Sequence, residues 1–195
     1  RKGFTLTELG GEKQTCTFDE GLYINHGPWR IPYHHQSLLH YTKKFGVPLE
    51  IFVNDNDHSY IYYERGSGPL AGKAIRKQEV AADIRGKAAE MLAKQVQQGA
   101  LDQQFTGGDK EMFLSYLRRE GYLTPKDFQY LGADGRGMEV TPGAGINPGK
   151  ESEPYGMLDV LHSGAWRTLG SAAGFEQQKT MFQPVGGMDR IPAAI

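Results

Sequence analysis

Between Asn25 and Pro32 the chain reads Asn-His-Gly-Pro-Trp-Arg-Ile-Pro. Each proline fixes its own φ at about −65° and biases the preceding residue toward an extended conformation, so no regular helix runs through this stretch. Arg30 is thereby a fixed cation at the end of an apolar strand, and Gly27 lets another group approach the backbone. A rigid guanidinium beside Trp29 suits a planar carboxylate, which it grips with two parallel hydrogen bonds. A loop arginine in a surface ion pair accounts for the same residues, and the local sequence leaves both readings open.

The flanking patterns predict an α+β chain. Residues 15–25 read as an extended segment feeding the Arg30 loop. A helix fits 33–45, with Leu38, Tyr41 and Phe45 on one face and Gly46 at its end. Val47, Leu49, Ile51 and Val53 alternate as in a half-buried strand; Asn54-Asp55-Asn56-Asp57 reads as a turn, and 59–63 as the second strand of a hairpin. Val80, Ile84, Ala88, Met91 and Leu92 recur with helical period within 74–98. Asp109 is positioned to cap a helix that buries Met112, Phe113, Tyr116 and Leu117 and ends at Gly121. Thr124-Pro125-Lys126-Asp127 predicts a short helix to Leu131, and 132–150 a Gly- and Pro-rich surface loop. A helix over 154–161, an extended stretch over 177–185 and a helix from Met188 complete the reading. The expected division is a small mixed sheet forming a binding lobe in 1–72, a helical lobe in 73–170, and a return to the first lobe in 171–195.

Charge and composition narrow the function classes. A net charge of −1 over 195 residues shows no basic excess, which argues against nucleic acid as a partner. One cysteine, Cys16, excludes an internal disulfide framework. No stretch approaches the ~18 apolar residues of a membrane span, and none reads as a secretory signal, so a non-membrane, cytoplasmic protein is expected.

Thr15-Cys16-Thr17-Phe18-Asp19-Glu20-Gly21 leads through Tyr23-Ile24-Asn25 into Gly27-Pro28-Trp29-Arg30-Ile31-Pro32. Far downstream stands Met181-Phe182-Gln183-Pro184-Val185-Gly186-Gly187-Met188-Asp189-Arg190-Ile191-Pro192. This pair of segments, in this order, resembles the flavin-dependent amine oxidases, and most of all their bacterial and snake-venom L-amino-acid oxidase branch. The resemblance covers nearly the whole chain. It implies FAD as cofactor, with Gly27, Pro28, Trp29 and Arg30 touching the flavin and Arg30 also holding the substrate carboxylate. Trp29 stands at a variable position, so packing in a core remains its other reading. The implied reaction is oxidation of an L-α-amino acid to a 2-oxo acid, ammonia and hydrogen peroxide. An amine oxidase, an amino-acid 2-monooxygenase and a non-catalytic scaffold fragment are the alternatives.

The same resemblance implies a strand and Gly-x-Gly-x-x-Gly turn for the FAD pyrophosphate. Gly66-x-Gly68, Gly135-x-Gly137 and Gly143-x-Gly145 are followed by Ala71, Val140 and Pro148 where the third glycine belongs. The expectation is therefore an internal piece of the oxidase, with most of the Rossmann core outside it. Its partners would be the remaining segments of that oxidase and further copies of itself.

Other motifs weigh less. Asp55-x-Asp57-x-Ser59 lacks the glycine and the bidentate Glu of a calcium loop. His34 and His35 lie six and five residues from His40 on one expected helix, and no Glu or Cys completes a metal set, so solvated histidines and no metal are expected. Ser163 and Cys16 lack an adjacent base. His162 is the nearest candidate for the helical-domain histidine of some family members, although its surroundings do not match. No catalytic base is assigned.

Overall fold

A computed structural model describes residues 2–25, 27–170 and 174–195. The chain divides into two units, residues 1–56 with 171–195, and residues 57–170. The secondary structure is α+β, and every named strand pair is antiparallel.

The first unit carries β1 (Thr5–Thr7) and β2 (Lys13–Thr15), an exposed hairpin. Residues 16–25 contain no strand, in contrast to the extended segment expected there. Helix α1 spans Gln36–Lys44 and ends before Gly46, whose φ of +66° suits glycine, as the sequence pattern predicts. Strand β3 (Leu49–Val53) follows. Its partner is not 59–63 but a strand far along the chain, here called β8 (Thr180–Pro184), with Leu49 opposite Pro184 and Val53 opposite Thr180. The predicted hairpin fails because Asn54 continues the β3–β8 pairing: its N–H donates to the Lys179 carbonyl at 2.9 Å instead of closing a turn. Ile31 adds a bridge to Phe182 on the same pair. The core consists of Ile31, Val47 and Ile191, with Leu38, Leu39, Phe45, Leu49 and Met188 packed against it. Of the alternating residues in β3, Ile51 and Val53 are exposed.

The second unit begins with β4 (Tyr60–Ile61), which pairs with β5 (Ile75–Arg76) ahead of α2 (Lys77–Gln97). Helix α2 forms where the period predicts, but it buries only part of the expected face: Val80 is fully buried and Ile84 packs against a core cluster, whereas Ala88 is exposed. Val80, Asp83, Gly86, Ala89, Ala93 and Val96 face inward, whereas Met91 and Leu92 are exposed. Small residues win that face because neighbours come very close. A Cβ on Gly86 would lie 2.2 Å from the Tyr130 ring. Helix α3 (Gly107–Glu120) starts at Thr106, not at Asp109; the two close a reciprocal capping box, with Asp109 at the third helical position. It buries Leu117 and partly Phe113 and Leu114, while Met112 and Tyr116 face outward.

Residues 124–131 form a loop closed by a Leu123–Tyr130 bridge, not a helix. Thr124 Oγ1 does accept a backbone N–H, but from Gln129 at 3.0 Å. Phe128 and Tyr130 are both buried, and Phe128 takes a φ of +50°, which no right-handed helix accommodates. The stretch 132–150 is also more than a surface loop. It holds β6 (Met138–Val140), which pairs with β7 (Lys150–Glu151), and the fully buried Arg136.

Arg136 is the hub of a polar cluster that local pattern does not reveal. Its Nε and Nη2 donate to Asp83 Oδ1 and Oδ2 at 2.5 and 2.9 Å. Tyr130 Oη and the Tyr155 N–H donate to the same carboxylate, each at 2.8 Å. Tyr155 Oη donates to Glu79 at 2.7 Å. Burial opposes the charge on Arg136, but its bond to Asp83 outweighs that and holds the guanidinium above its ordinary pKa. Burial, reinforced by the bonds to Asp83 and Glu79, pushes both tyrosine hydroxyls well above theirs. Helix α4 (Met157–Ser163) and a following 3₁₀ turn close a second apolar cluster of Ile61, Ile75, Val80, Val160 and Ala165. The first unit ends in α5 (Arg190–Ala194). No helix among the described residues is long and apolar enough to cross a membrane.

Candidate functional site

Ile31 anchors the Arg30 loop. It is completely buried and exchanges both backbone hydrogen bonds with Phe182, at 2.7 and 3.0 Å. The adjacent guanidinium is then held from two sides. Arg30 Nη1 donates to Asn54 Oδ1 at 2.7 Å, and its carbon sits 5.1 Å from the centre of the Trp29 ring. Asn54 is itself fixed, since its Nδ2 donates to the Gln178 carbonyl at 3.0 Å and leaves only the amide oxygen for Arg30. Among the described residues no carboxylate pairs with Arg30. The ion-pair reading of this arginine therefore has no partner among the described residues, and its remaining donors can meet a planar anion.

The two sequence segments that carried the resemblance meet in space. Gly27 and Pro28 from the first, and Met188 and Asp189 from the second, line one cavity of about 360 Å³ together with Tyr23 and Ile24. Asn25 Oδ1 accepts the Met188 N–H at 3.0 Å and ties the segments together. Gly187, at φ +110°, lets the second segment come close: a Cβ there would meet the Tyr23 ring at 3.0 Å. Trp29 and Arg30 are not among the described residues lining this cavity. Trp29 is 49% exposed, so it is not a core residue in this chain.

Sequence reasoning missed Asn54 and the tie made by Asn25. Asn54 stood inside a turn signal, and nothing local marks it as the partner of a residue 24 positions earlier. It also missed an acid beside the histidines. His34 and His35 precede α1, and Glu176, distant in sequence, lies 3.2 Å from His34 Nε2 and 3.3 Å from His35 Nε2. Their bonds and charges hold the Glu176 carboxyl below its ordinary pKa. The other candidates have structural roles. Ser163 Oγ donates to the Val160 carbonyl and accepts the Ala165 N–H, capping the end of α4. Cys16 is half-buried, and its backbone pairs with Phe4 and Gly3. His162 lies in the last turn of α4, in the second unit.

Residues 7–195 match the family model of flavin containing amine oxidoreductases. The chain belongs to that family. Among curated proteins it is 27% identical to an L-amino-acid oxidase of Pseudechis australis over 96% of this chain and 35% of that protein. It is 26% identical to an L-amino-acid oxidase of Naja atra over 96% of this chain and 36% of the relative. A putative L-amino-acid oxidase, YobN, of Bacillus subtilis is 34% identical over 45% of this chain and 20% of its own length. The chain thus spans about a third of the length of the snake oxidases it matches. Oxidation–reduction at a flavin is the chemistry that the family's description names.

Proposed function

We propose that this chain is part of an FAD-dependent L-amino-acid oxidase and that Arg30 binds the substrate carboxylate. The observation that carries the reading is an arginine held by Asn54 and Trp29 with no paired carboxylate among the described residues. Such a group pays little ordering cost when an anion arrives, and its planar fork matches a carboxylate. Fixing that carboxylate orients the bond at the α-carbon that must break.

The cavity beside it suits a flat, largely apolar ring. Tyr23, Ile24, Pro28 and Met188 supply apolar walls, and the space where Gly27 would carry a Cβ is open, so a ring can lie against the backbone. Gly27 and Pro28 are the residues that would hold it, and the family resemblance adds Trp29 and Arg30 as further contacts. FAD, when bound, would supply the acceptor for a hydride, that is, a proton together with the two electrons of the oxidation. The chain's own contribution is position: Arg30 anchors the acid, Asn54 sets the angle of Arg30, and the Asn25–Met188 bond keeps the two cavity segments in register. The remaining segments of the oxidase, and further copies of the chain, are its proposed partners.

The test uses the flavin-loaded enzyme. Arg30→Ala removes one side of a buried charged pair, which costs ~2–5 kcal/mol. The expected outcome is a loss in kcat/KM for amino acids of roughly two to three orders of magnitude, at 1.36 kcal/mol per tenfold. Arg30→Lys should also be severely impaired, because an ammonium lacks the fork. The matching amine, which has no carboxylate, should lose far less. Equal losses for acid and amine at full flavin occupancy would refute the reading. Formation of an amide in place of a 2-oxo acid would assign the chain to a monooxygenase.

A further inference from the structure

We propose that His34, His35 and Glu176 form a binding site for a divalent transition-metal ion of the Zn²⁺ class. Their donor atoms all lie within 4.8 Å of one another. A tetrahedral ion with Zn–N and Zn–O bonds of about 2.0–2.1 Å holds its ligands about 3.3–3.4 Å apart. The two nitrogen–oxygen separations, 3.2 Å from His34 Nε2 to Glu176 Oε1 and 3.3 Å from His35 Nε2 to Glu176 Oε2, are each close to that edge, with the carboxylate presenting one oxygen to each imidazole. The two imidazole rings stand perpendicular, at 88° with centres 4.7 Å apart, so they do not stack and their lone pairs can converge.

The site is partly pre-formed. The His34 ring is held against Phe175 at 4.3 Å, and Glu176 follows at once, so two successive residues hold one imidazole from its face and its edge. His34 Nε2 is buried and makes no well-formed hydrogen bond among the described residues, although it faces Glu176. A buried nitrogen aimed at a carboxylate, with a second imidazole beside it, is better satisfied by a shared cation than by either neighbour alone. Gln178 Nε2 lies 3.3 Å from His34 Nδ1. Gln178 is itself fixed, since its Nε2 donates to the Phe175 carbonyl at 2.8 Å and its Oε1 accepts the Tyr33 N–H, so it steadies the His34 ring on its Nδ1 side.

Two imidazoles and one carboxylate select Zn²⁺, Cu²⁺, Ni²⁺ or Co²⁺ over Mg²⁺ and Ca²⁺, which need oxygen shells of six or more. His35 and Glu176 are exposed, so a fourth position stays open to water. The bound ion would tie the start of α1 to the segment leading into β8, both within the first unit. This proposal is independent of the flavin reading.

The test is binding, not turnover. Zn²⁺ is titrated into the protein against a chromophoric chelator, and Co²⁺ is bound in parallel to read the coordination from its visible spectrum. One site per chain is expected, with a four-coordinate Co²⁺ spectrum. His34→Ala, His35→Ala and Glu176→Gln should each lower the Zn²⁺ affinity by more than about tenfold, since even outer-shell losses cost 10–100-fold. His40→Ala and Cys16→Ser should leave it unchanged. Circular dichroism confirms that each variant is folded, and the Co²⁺ spectrum of the unaltered protein gives a readout that needs no variant. Absence of binding, or binding that survives the triple substitution, would overturn the proposal.

Discussion

Gly86→Ala sets helix propensity directly against packing. Gly86 lies inside α2, where alanine is the better helix former by about 1 kcal/mol, so local reasoning expects stabilisation. The tertiary structure reverses the sign. The new Cβ would stand 2.2 and 2.3 Å from two atoms of the Tyr130 ring. That ring cannot yield freely. Tyr130 is 2% exposed, its hydroxyl donates to Asp83 at 2.8 Å, and its N–H donates to Glu90 at 3.0 Å. Overpacking costs ~1–3 kcal/mol, and displacing the ring also gives up a hydrogen bond to a charged group, ~1.5–3 kcal/mol. After the propensity gain, a net destabilisation of about 1.5–5 kcal/mol is expected. Urea unfolding followed by far-UV circular dichroism measures it. In a Tyr130→Ala background the clash is gone, and Gly86→Ala should instead stabilise by about 0.5–1 kcal/mol. A neutral or stabilising Gly86→Ala in the unaltered protein, or the same effect in both backgrounds, would refute the reasoning.

Asp83→Asn leaves the fully buried Arg136 without its anion and should cost about 3–5 kcal/mol in the same assay, whereas replacing both partners with apolar residues should recover much of the loss. Thr106→Ala removes the capping box of α3 and should cost about 0.5–2 kcal/mol, seen as a lower unfolding midpoint. Because the Tyr130 hydroxyl titrates above its ordinary value of 10.0, the folded state keeps a proton that the unfolded state loses; stability is full below pH 10 and falls as pH rises beyond it. Tyr130→Phe should flatten that alkaline loss, measured as unfolding free energy against pH.

The sequence by itself determined the class of elements and the family. The proline-bracketed Arg30 segment, the Gly-Gly segment before Met188, and the periods over α1, α2 and α3 are local patterns. They depend on backbone freedom and side-chain spacing within a few residues, which any reader of the chain can inspect. Which face each helix buries was not local. Met91 and Leu92 fit the apolar stripe of α2 better than Gly86 and Asp83 do, yet they lie outside, because Tyr130 and Arg136 occupy the inner side. Strand pairing was not local either: β3 is legible as a strand, but its partner β8 is chosen by contacts across more than half the chain. The candidate site divides in the same way. Arg30 announces itself through its prolines, whereas Asn54, which holds it, and Glu176, which faces the two histidines, carry no mark in their own neighbourhoods. Their roles exist only once the β3–β8 pairing brings residues 54 and 176–179 beside 30–35, and hydrogen bonds and ion pairs form by distance in space rather than along the chain.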